Sequence, residues 1–160
     1  MKTFTKHIIL SLIVLAVVSC RGLYEDNADK AADYKKMVKF ITVKDLNDKI
    51  EKGETFLLID VRQTADYATG NIPGSVSVLR GDLEFNMDNV EFWASQYMYP
   101  PEKTDTIIVY CNDGNNGILS AVTLMKLGYN HVYNLEGGYK AFNPNQDPNA
   151  APKTSGGCGG

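Results

Sequence analysis

Between residues 40 and 142, short apolar runs alternate with amphipathic segments that end at glycine or proline. Residues 55–61 and 104–110 carry continuous, partly β-branched apolar runs, which are typical of strands buried on both faces. Three shorter strands are predicted within residues 40–43, 72–80 and 131–138. Five helical segments are predicted at 44–53, 62–71, 85–97, 117–128 and 139–142, with Phe92, Trp93, Tyr97 and Met98 as core candidates of the third.

Strands that alternate with helices at this spacing imply an α/β domain with a parallel sheet covered by helices on both faces. We predict one such domain over residues 40–142, a size at which a single hydrophobic core is expected.

The first residues have the pattern of an export signal. Lys2 and Lys6 precede an apolar run from Ile8 to Val18, which is shorter than the ~20 residues that span a bilayer. The following Ser19-Cys20 resembles the end of a bacterial lipoprotein signal, which implies cleavage after residue 19 and a lipid on Cys20. We therefore expect a signal peptide at 1–19 and a polar tether at 20–39, some of it helical. The protein would be anchored in the cell envelope facing the periplasm.

The chain carries 16 basic and 19 acidic residues, a formal charge of −3. Removal of residues 1–19 would take two lysines and leave 14 basic and 19 acidic residues, a formal charge of −5. A mildly acidic chain without a basic cluster argues against nucleic acid as a partner. Residues 143–160 are dominated by Pro, Asn, Gly and Ala, a composition that predicts a linker or disordered tail.

Cys111 is the main candidate for chemistry. It follows the apolar run of the strand at 104–110, and ligands of parallel α/β sheets bind beyond the carboxyl ends of the strands. Backbone N–H groups of the glycine-containing loop and the start of the next helix are expected to lower its pKa, which would make it a partly ionised nucleophile. His131 opens the last strand at the opposite sheet edge, so a Cys-His or Ser-His-Asp triad is not expected.

The combined motifs resemble the rhodanese-like sulfurtransferase family over residues 40–142. The matching positions, in chain order, are Asp60-Val61-Arg62, Asp66-Tyr67, Gly70, Ile72-Pro73-Gly74, Cys111, Gly114 and Leu135-Glu136-Gly137-Gly138-Tyr139. The resemblance implies a three-layer domain with a five-stranded parallel sheet, in which Cys111 takes up a sulfane sulfur as a persulfide. It also implies an active-site loop, formed by Asn112, Asp113, Gly114, Asn115, Asn116 and Gly117, and no metal or organic cofactor. We interpret Asp60 and Arg62 as supporting residues, and Gly137-Gly138 as a tight strand exit rather than a ligand site.

The loop departs from the family pattern in its charge. Active relatives carry an arginine in the loop, often about five residues after the cysteine, where this chain has Asn116, and Asp113 adds a negative charge. A persulfide is therefore the expected sulfur donor in place of thiosulfate. Phosphatase relatives have a loop one residue longer that ends in arginine, where this chain has Gly117, so phosphate-ester chemistry is disfavoured.

Cys158 lies in the terminal sequence SGGCGG, which resembles the tail of the carrier subunit of bacterial sulfur-oxidising systems. The random-coil span of residues 143–157 is about 21 Å, enough to reach across a small domain. The expected partners are a donor or acceptor thiol and, through Cys20, a membrane. Two alternatives stay open: a binding module that has lost turnover, and a redox sensor in which Cys111 and Cys158 form a disulfide.

Overall fold

The computed structural model describes residues 33–145, which form a five-stranded, all-parallel sheet in the order β1-β5-β4-β2-β3. The strands are β1 Lys39–Ile41, β2 Leu57–Asp60, β3 Ser75–Ser77, β4 Thr106–Tyr110 and β5 His131–Leu135. The helices are α1 Val43–Glu51, α2 Thr64–Thr69, α3 Leu83–Asn86, α4 Val90–Ser95, α5 Asn115–Lys126 and α6 Gly138–Phe142, with a 3-10 turn at Arg80–Asp82. The predicted α/β class and parallel sheet are confirmed. The predictions for the signal peptide, Cys20 and Cys158 lie outside the described residues.

The core lies on both faces of the sheet because successive side chains of a strand point in opposite directions. The central strand β4 shows this: Ile107 and Val109 belong to the larger core cluster, and Ile108 and Tyr110 to the smaller one on the other face. Strand β4 pairs with both β2 and β5, so the residue after it lies at the centre of the sheet edge. That residue is Cys111.

The predicted helix at 85–97 is wrong. The chain forms two short helices instead, because the side chain of Asn89 accepts N–H groups of Glu91 and Phe92 and starts α4 as a new helix. Trp93 is fully buried as predicted, whereas Tyr97 is 99% exposed and Met98 is 41% exposed. Tyr97 has a φ of 57° where α4 ends, so these two residues are not part of the core.

The segment before β1 packs against the domain. Residues 33–35 are helical, Tyr34 contacts the larger core cluster, and Val38 is buried. None of the helices within residues 33–145 is long and apolar enough to cross a bilayer.

Candidate active site

Cys111 follows β4 directly, and its side chain is folded into the loop that leads to α5. The Sγ atom accepts N–H groups from Gly114 at 3.1 Å and from Gly117 at 3.3 Å. The loop closes around the sulfur because Gly114 has a φ of 95°, a left-handed conformation that glycine adopts without steric cost. The predicted amide nest around Cys111 is thus present in the structure.

The negative charge of the loop is close to the sulfur. The thiol donates to Oδ1 of Asp113 at 3.6 Å, and this carboxylate also accepts the backbone N–H of Asn115. The N–H of Asn115 is the main reason why the pKa of Asp113 is lowered. The carboxylate is therefore ionised at neutral pH and stabilises the protonated thiol.

The predicted low pKa of Cys111 is wrong. Burial of Cys111, a residue that is 3% exposed, raises the pKa of its thiol, and the charge of Asp113 raises it further. Backbone N–H groups of the loop lower it, as the sequence suggested, but they do not outweigh burial. The resting sulfur is a protonated thiol.

This protonation state predicts a pH profile. Alkylation of Cys111 by iodoacetamide is expected to be slower at pH 7 than alkylation of free cysteine, and to rise through the alkaline range because only the thiolate reacts. The rate is measured by intact mass in a Cys20→Ser, Cys158→Ser background, where Cys111 is the remaining thiol. A plateau of the rate below pH 8 would contradict the assigned burial effect.

Asp60 and Arg62 form a buried ion pair beside the site. Nη2 of Arg62 lies 2.7 Å from Oδ2 of Asp60 and also donates to the carbonyl oxygen of Gly70 at 2.6 Å. The guanidinium stacks over the ring of Tyr139 at 4.0 Å. These contacts occupy the cation and join the end of α2 to α6 through Arg62.

Tyr110 connects the cysteine loop to the Ile72-Pro73-Gly74 segment. Its hydroxyl oxygen accepts the N–H of Ile72 at 3.1 Å and hydrogen-bonds the hydroxyl of Ser75 at 2.9 Å. Two motifs 38 residues apart in sequence are thereby fixed to each other, which holds the start of the cysteine loop in place.

The Gly137-Gly138 turn brings α6 back over the loop. Behind it, the N–H of Tyr139 donates to the carbonyl oxygen of Cys111 at 2.7 Å, and the N–H of Lys140 to that of Asn112 at 3.0 Å. A Cβ on Gly138 would lie 2.3 Å from the Cys111 carbonyl oxygen. The turn is therefore more than a strand exit: its missing side chain lets α6 dock on the cysteine loop.

Asn134 supports the loop from β5. It is fully buried, and its Nδ2 donates to the carbonyl oxygen of Gly114 at 2.9 Å. Its Oδ1 has no hydrogen-bond partner within residues 33–145 and faces the Cα hydrogen of Gly117, where a Cβ would lie 2.0 Å away. Sequence reasoning missed Asn134. The one hint in the sequence was a polar amide between apolar residues of the strand.

The sulfur opens into a cavity of about 380 Å³, here called the Cys111 cleft. Its lining residues are Val61, Arg62, Gln63, Asp66, Cys111, Asn112, Asp113, Asn116 and Lys140. An adjoining outer cleft shares four of these residues and adds Thr69, Asn143 and Pro144. Asp66, a residue of the family motif, and Lys140 are cleft residues that sequence reasoning did not assign to the site. No group of three or more metal-ligating side chains lies close enough to hold a metal ion in the described part of the chain.

The fold and site define an α/β domain with a buried cysteine, held by the loop that follows it, at the carboxyl edge of a parallel sheet. The family model of the rhodanese-like domain matches residues 42–145, and the chain belongs to this family. A sulfurtransferase of Allochromatium vinosum is 28% identical over 117 residues, which are 73% of this chain and 99% of the relative.

Two solved structures share the fold. A Rhodopseudomonas palustris protein of unknown function, described as a possible tyrosine phosphatase, is 26% identical with a TM-score of 0.65, covering 76% of this chain and 92% of the other. The human single-domain sulfurtransferase TSTD1 is 23% identical with a TM-score of 0.62, covering 69% and 99%. The human protein supports the predicted five-stranded rhodanese fold.

Proposed function

We propose that the protein transfers sulfane sulfur through a persulfide on Cys111, taking the sulfur from a persulfide donor. The observation that carries this proposal is the sulfur itself, held by two loop N–H groups and facing an open cleft. The family and the sulfurtransferase relative of Allochromatium vinosum support the same chemistry.

The reaction balances without an external oxidant. Cys111 first loses its proton, and the thiolate attacks the outer sulfur of R–S–SH. The S–S bond to the carrier breaks, and the leaving R–S⁻ takes up one proton, which balances the proton lost by Cys111. The products are Cys111–S–SH and R–SH. An acceptor thiolate then attacks the outer sulfur and releases Cys111, while N–H groups of Gly114 and Gly117 stabilise the sulfur when it carries negative charge.

The charges of the cleft support a persulfide over thiosulfate. Arg62 is neutralised by Asp60, and Asp66 and Asp113 outnumber the remaining cation, Lys140. A dianion that enters this cleft meets a net negative wall, whereas a persulfide carrier of low charge meets less repulsion. The same loop argues against phosphate esters, because residues 112–117 contain no arginine.

The test compares donors on the full chain and on Cys111→Ser. With a low-molecular-weight persulfide and an acceptor thiol, we expect transfer above the uncatalysed rate, and loss of that excess in Cys111→Ser. The measured quantity is the acceptor persulfide, which is trapped by alkylation and separated from the alkylated donor by mass. Equal rates for the two proteins would reject the proposal and leave a binding module on this fold.

We further propose that Cys158 exchanges sulfur with Cys111. The described chain leaves the domain at Asn143 and Pro144, which line the outer cleft next to Cys111. The 13 residue-to-residue steps from Asn145 to Cys158 span at most about 45 Å. Glycines on both sides of Cys158 leave its thiol sterically open.

Intact-mass measurement after exposure to polysulfide tests this relay. We expect sulfur adducts on both cysteines, and adducts on Cys158 that become rare in Cys111→Ser. Peptide mapping assigns each adduct. Adducts that stay confined to Cys111 would remove the carrier role, and a Cys111–Cys158 disulfide that forms without added sulfur would favour the redox sensor.

A further inference from the structure

Two opposite charges, those of Asp66 and Lys140, line the Cys111 cleft. Asp66 belongs to α2, which follows β2, and Lys140 belongs to α6, which follows β5. Strands β2 and β5 flank β4, at whose end Cys111 lies, so the two charges approach the sulfur from opposite sides. Both residues line the Cys111 cleft and the outer cleft.

The two side chains do not form an ion pair with each other. Within residues 33–145, every ion pair involves other residues, and the carboxylate of Asp66 and the ammonium of Lys140 stay free for a ligand. The neighbouring charges are committed: Arg62 binds Asp60, and Asp113 accepts from Cys111 and Asn115.

Both charges are held in fixed elements of the site. The backbone of Lys140 is tied to the cysteine loop through its N–H bond to Asn112. Helix α2 is tied to the same region by the bond from Arg62 to Gly70 at its end. The backbone elements that carry the two charges are therefore fixed beside the Cys111 cleft, which both residues line.

We propose that Asp66 and Lys140 determine the specificity of the site for a zwitterionic aminothiol. On this reading, which rests on the proposed function, the donor is a persulfide whose carrier bears an ammonium group and a carboxylate close to the sulfur. The ammonium group contacts Asp66, the carboxylate contacts Lys140, and the sulfur points at Cys111. Thiosulfate, which has two negative charges and no ammonium group, satisfies Lys140 alone and is repelled by Asp66 and Asp113.

Disulfide exchange tests this recognition without requiring sulfur transfer. The Cys111 thiolate attacks R–S–S–R, forms Cys111–S–S–R and releases R–S⁻, which takes up a proton. The probes are cystine with both groups, cystamine without the carboxylate, and N,N′-diacetylcystine without the ammonium group. The rate of mixed-disulfide formation is followed by intact mass in the Cys20→Ser, Cys158→Ser background. For each probe, the rate of the variant is divided by the rate of the parent protein. Differences in intrinsic reactivity between the three probes therefore do not enter the comparison.

The expected result is a crossed pattern. Lys140→Gln lowers the rate about threefold to tenfold for cystine and diacetylcystine and spares cystamine, whereas Asp66→Asn lowers the rate for cystine and cystamine and spares diacetylcystine. Lys140→Arg keeps the parent pattern, and the differences shrink at high salt because the charges are accessible to solvent. Lys52→Gln, which removes a lysine after α1 at the opposite edge of the sheet, changes none of the three rates.

Equal effects of both variants on all three probes, or no effect of either, would overturn the specificity proposal. A crossed pattern in a protein without persulfide transfer would keep the recognition of zwitterionic thiols and reject the proposed function. Persulfide transfer by the parent protein without a crossed pattern would keep the proposed function and reject the recognition of zwitterionic thiols.

Discussion

Replacement of Gly138 by alanine is expected to destabilise the protein by about 2–5 kcal/mol and to abolish sulfur transfer. Gly138 has a φ of +58°, where a non-glycine residue costs about 1–2 kcal/mol. The new Cβ would also lie 2.3 Å from the carbonyl oxygen of Cys111 and 2.9 Å from the backbone nitrogen of Gly114. These are backbone atoms, so the clash adds about 1–3 kcal/mol that no rotamer change relieves.

The loss of transfer follows from the position of the clash. Helix α6 would move away from the cysteine loop and weaken the bonds from Tyr139 and Lys140 to the Cys111 and Asn112 carbonyl oxygens. Urea denaturation measures the stability, and the persulfide assay measures the activity.

Gly53→Ala is the matched control for this variant. Gly53 has a similar φ of +66°, and its Cβ would meet no atom within 4 Å. It therefore carries the conformational cost alone, about 1–2 kcal/mol, and leaves transfer unchanged in the folded protein. Equal urea midpoints for Gly53→Ala and Gly138→Ala would show that the contact between α6 and the loop adds nothing to stability.

The double variant Asp113→Asn, Asn116→Arg is expected to accept thiosulfate, with kcat/KM for this donor about tenfold to a hundredfold above that of the parent. A unit charge about 5 Å from a second one contributes about 3 kcal/mol at an effective dielectric constant of about 20, and exposure reduces this value. Both positions line the cleft and are exposed, so the new arginine can reach the donor and the removed carboxylate no longer repels it. Thiocyanate formed from thiosulfate and cyanide is the measured product.

Single variants separate the two effects. Asp113→Asn alone removes the charge that raises the pKa of Cys111 and leaves a neutral amide oxygen as the acceptor of its S–H, so alkylation at pH 7 becomes faster. Asn116→Gln controls for a longer side chain without charge and leaves thiosulfate transfer at the parent level. If the double variant gains no activity with thiosulfate, loop charge is not what selects the donor.

The fold could be predicted because its signals are local. The apolar run that ends at Tyr110 identified the central strand, and the glycines after Cys111 identified the loop. The predicted helix at 85–97 is wrong for a local reason as well, because the side chain of Asn89 caps a new helix inside this stretch.

The site was predicted less completely because its properties depend on distant segments. The pKa of Cys111 is raised by burial, which is a property of the packed domain and not of the loop sequence. Lys140 reaches the cleft because α6 folds back onto a loop about thirty residues earlier in the chain. The motif around Gly137 and Gly138 pointed to this turn, but no sequence pattern indicated what the turn contacts.

The burial of Cys111 limits the size of the molecules that can react with its sulfur. With 3% of Cys111 exposed, a thiol embedded in a flat protein surface stops short of bonding distance, whereas a small metabolite or a narrow chain end can enter. A persulfide formed there is shielded from bulky reductants between successive encounters. Any protein that draws sulfur from this site must therefore present its cysteine on a slender protrusion.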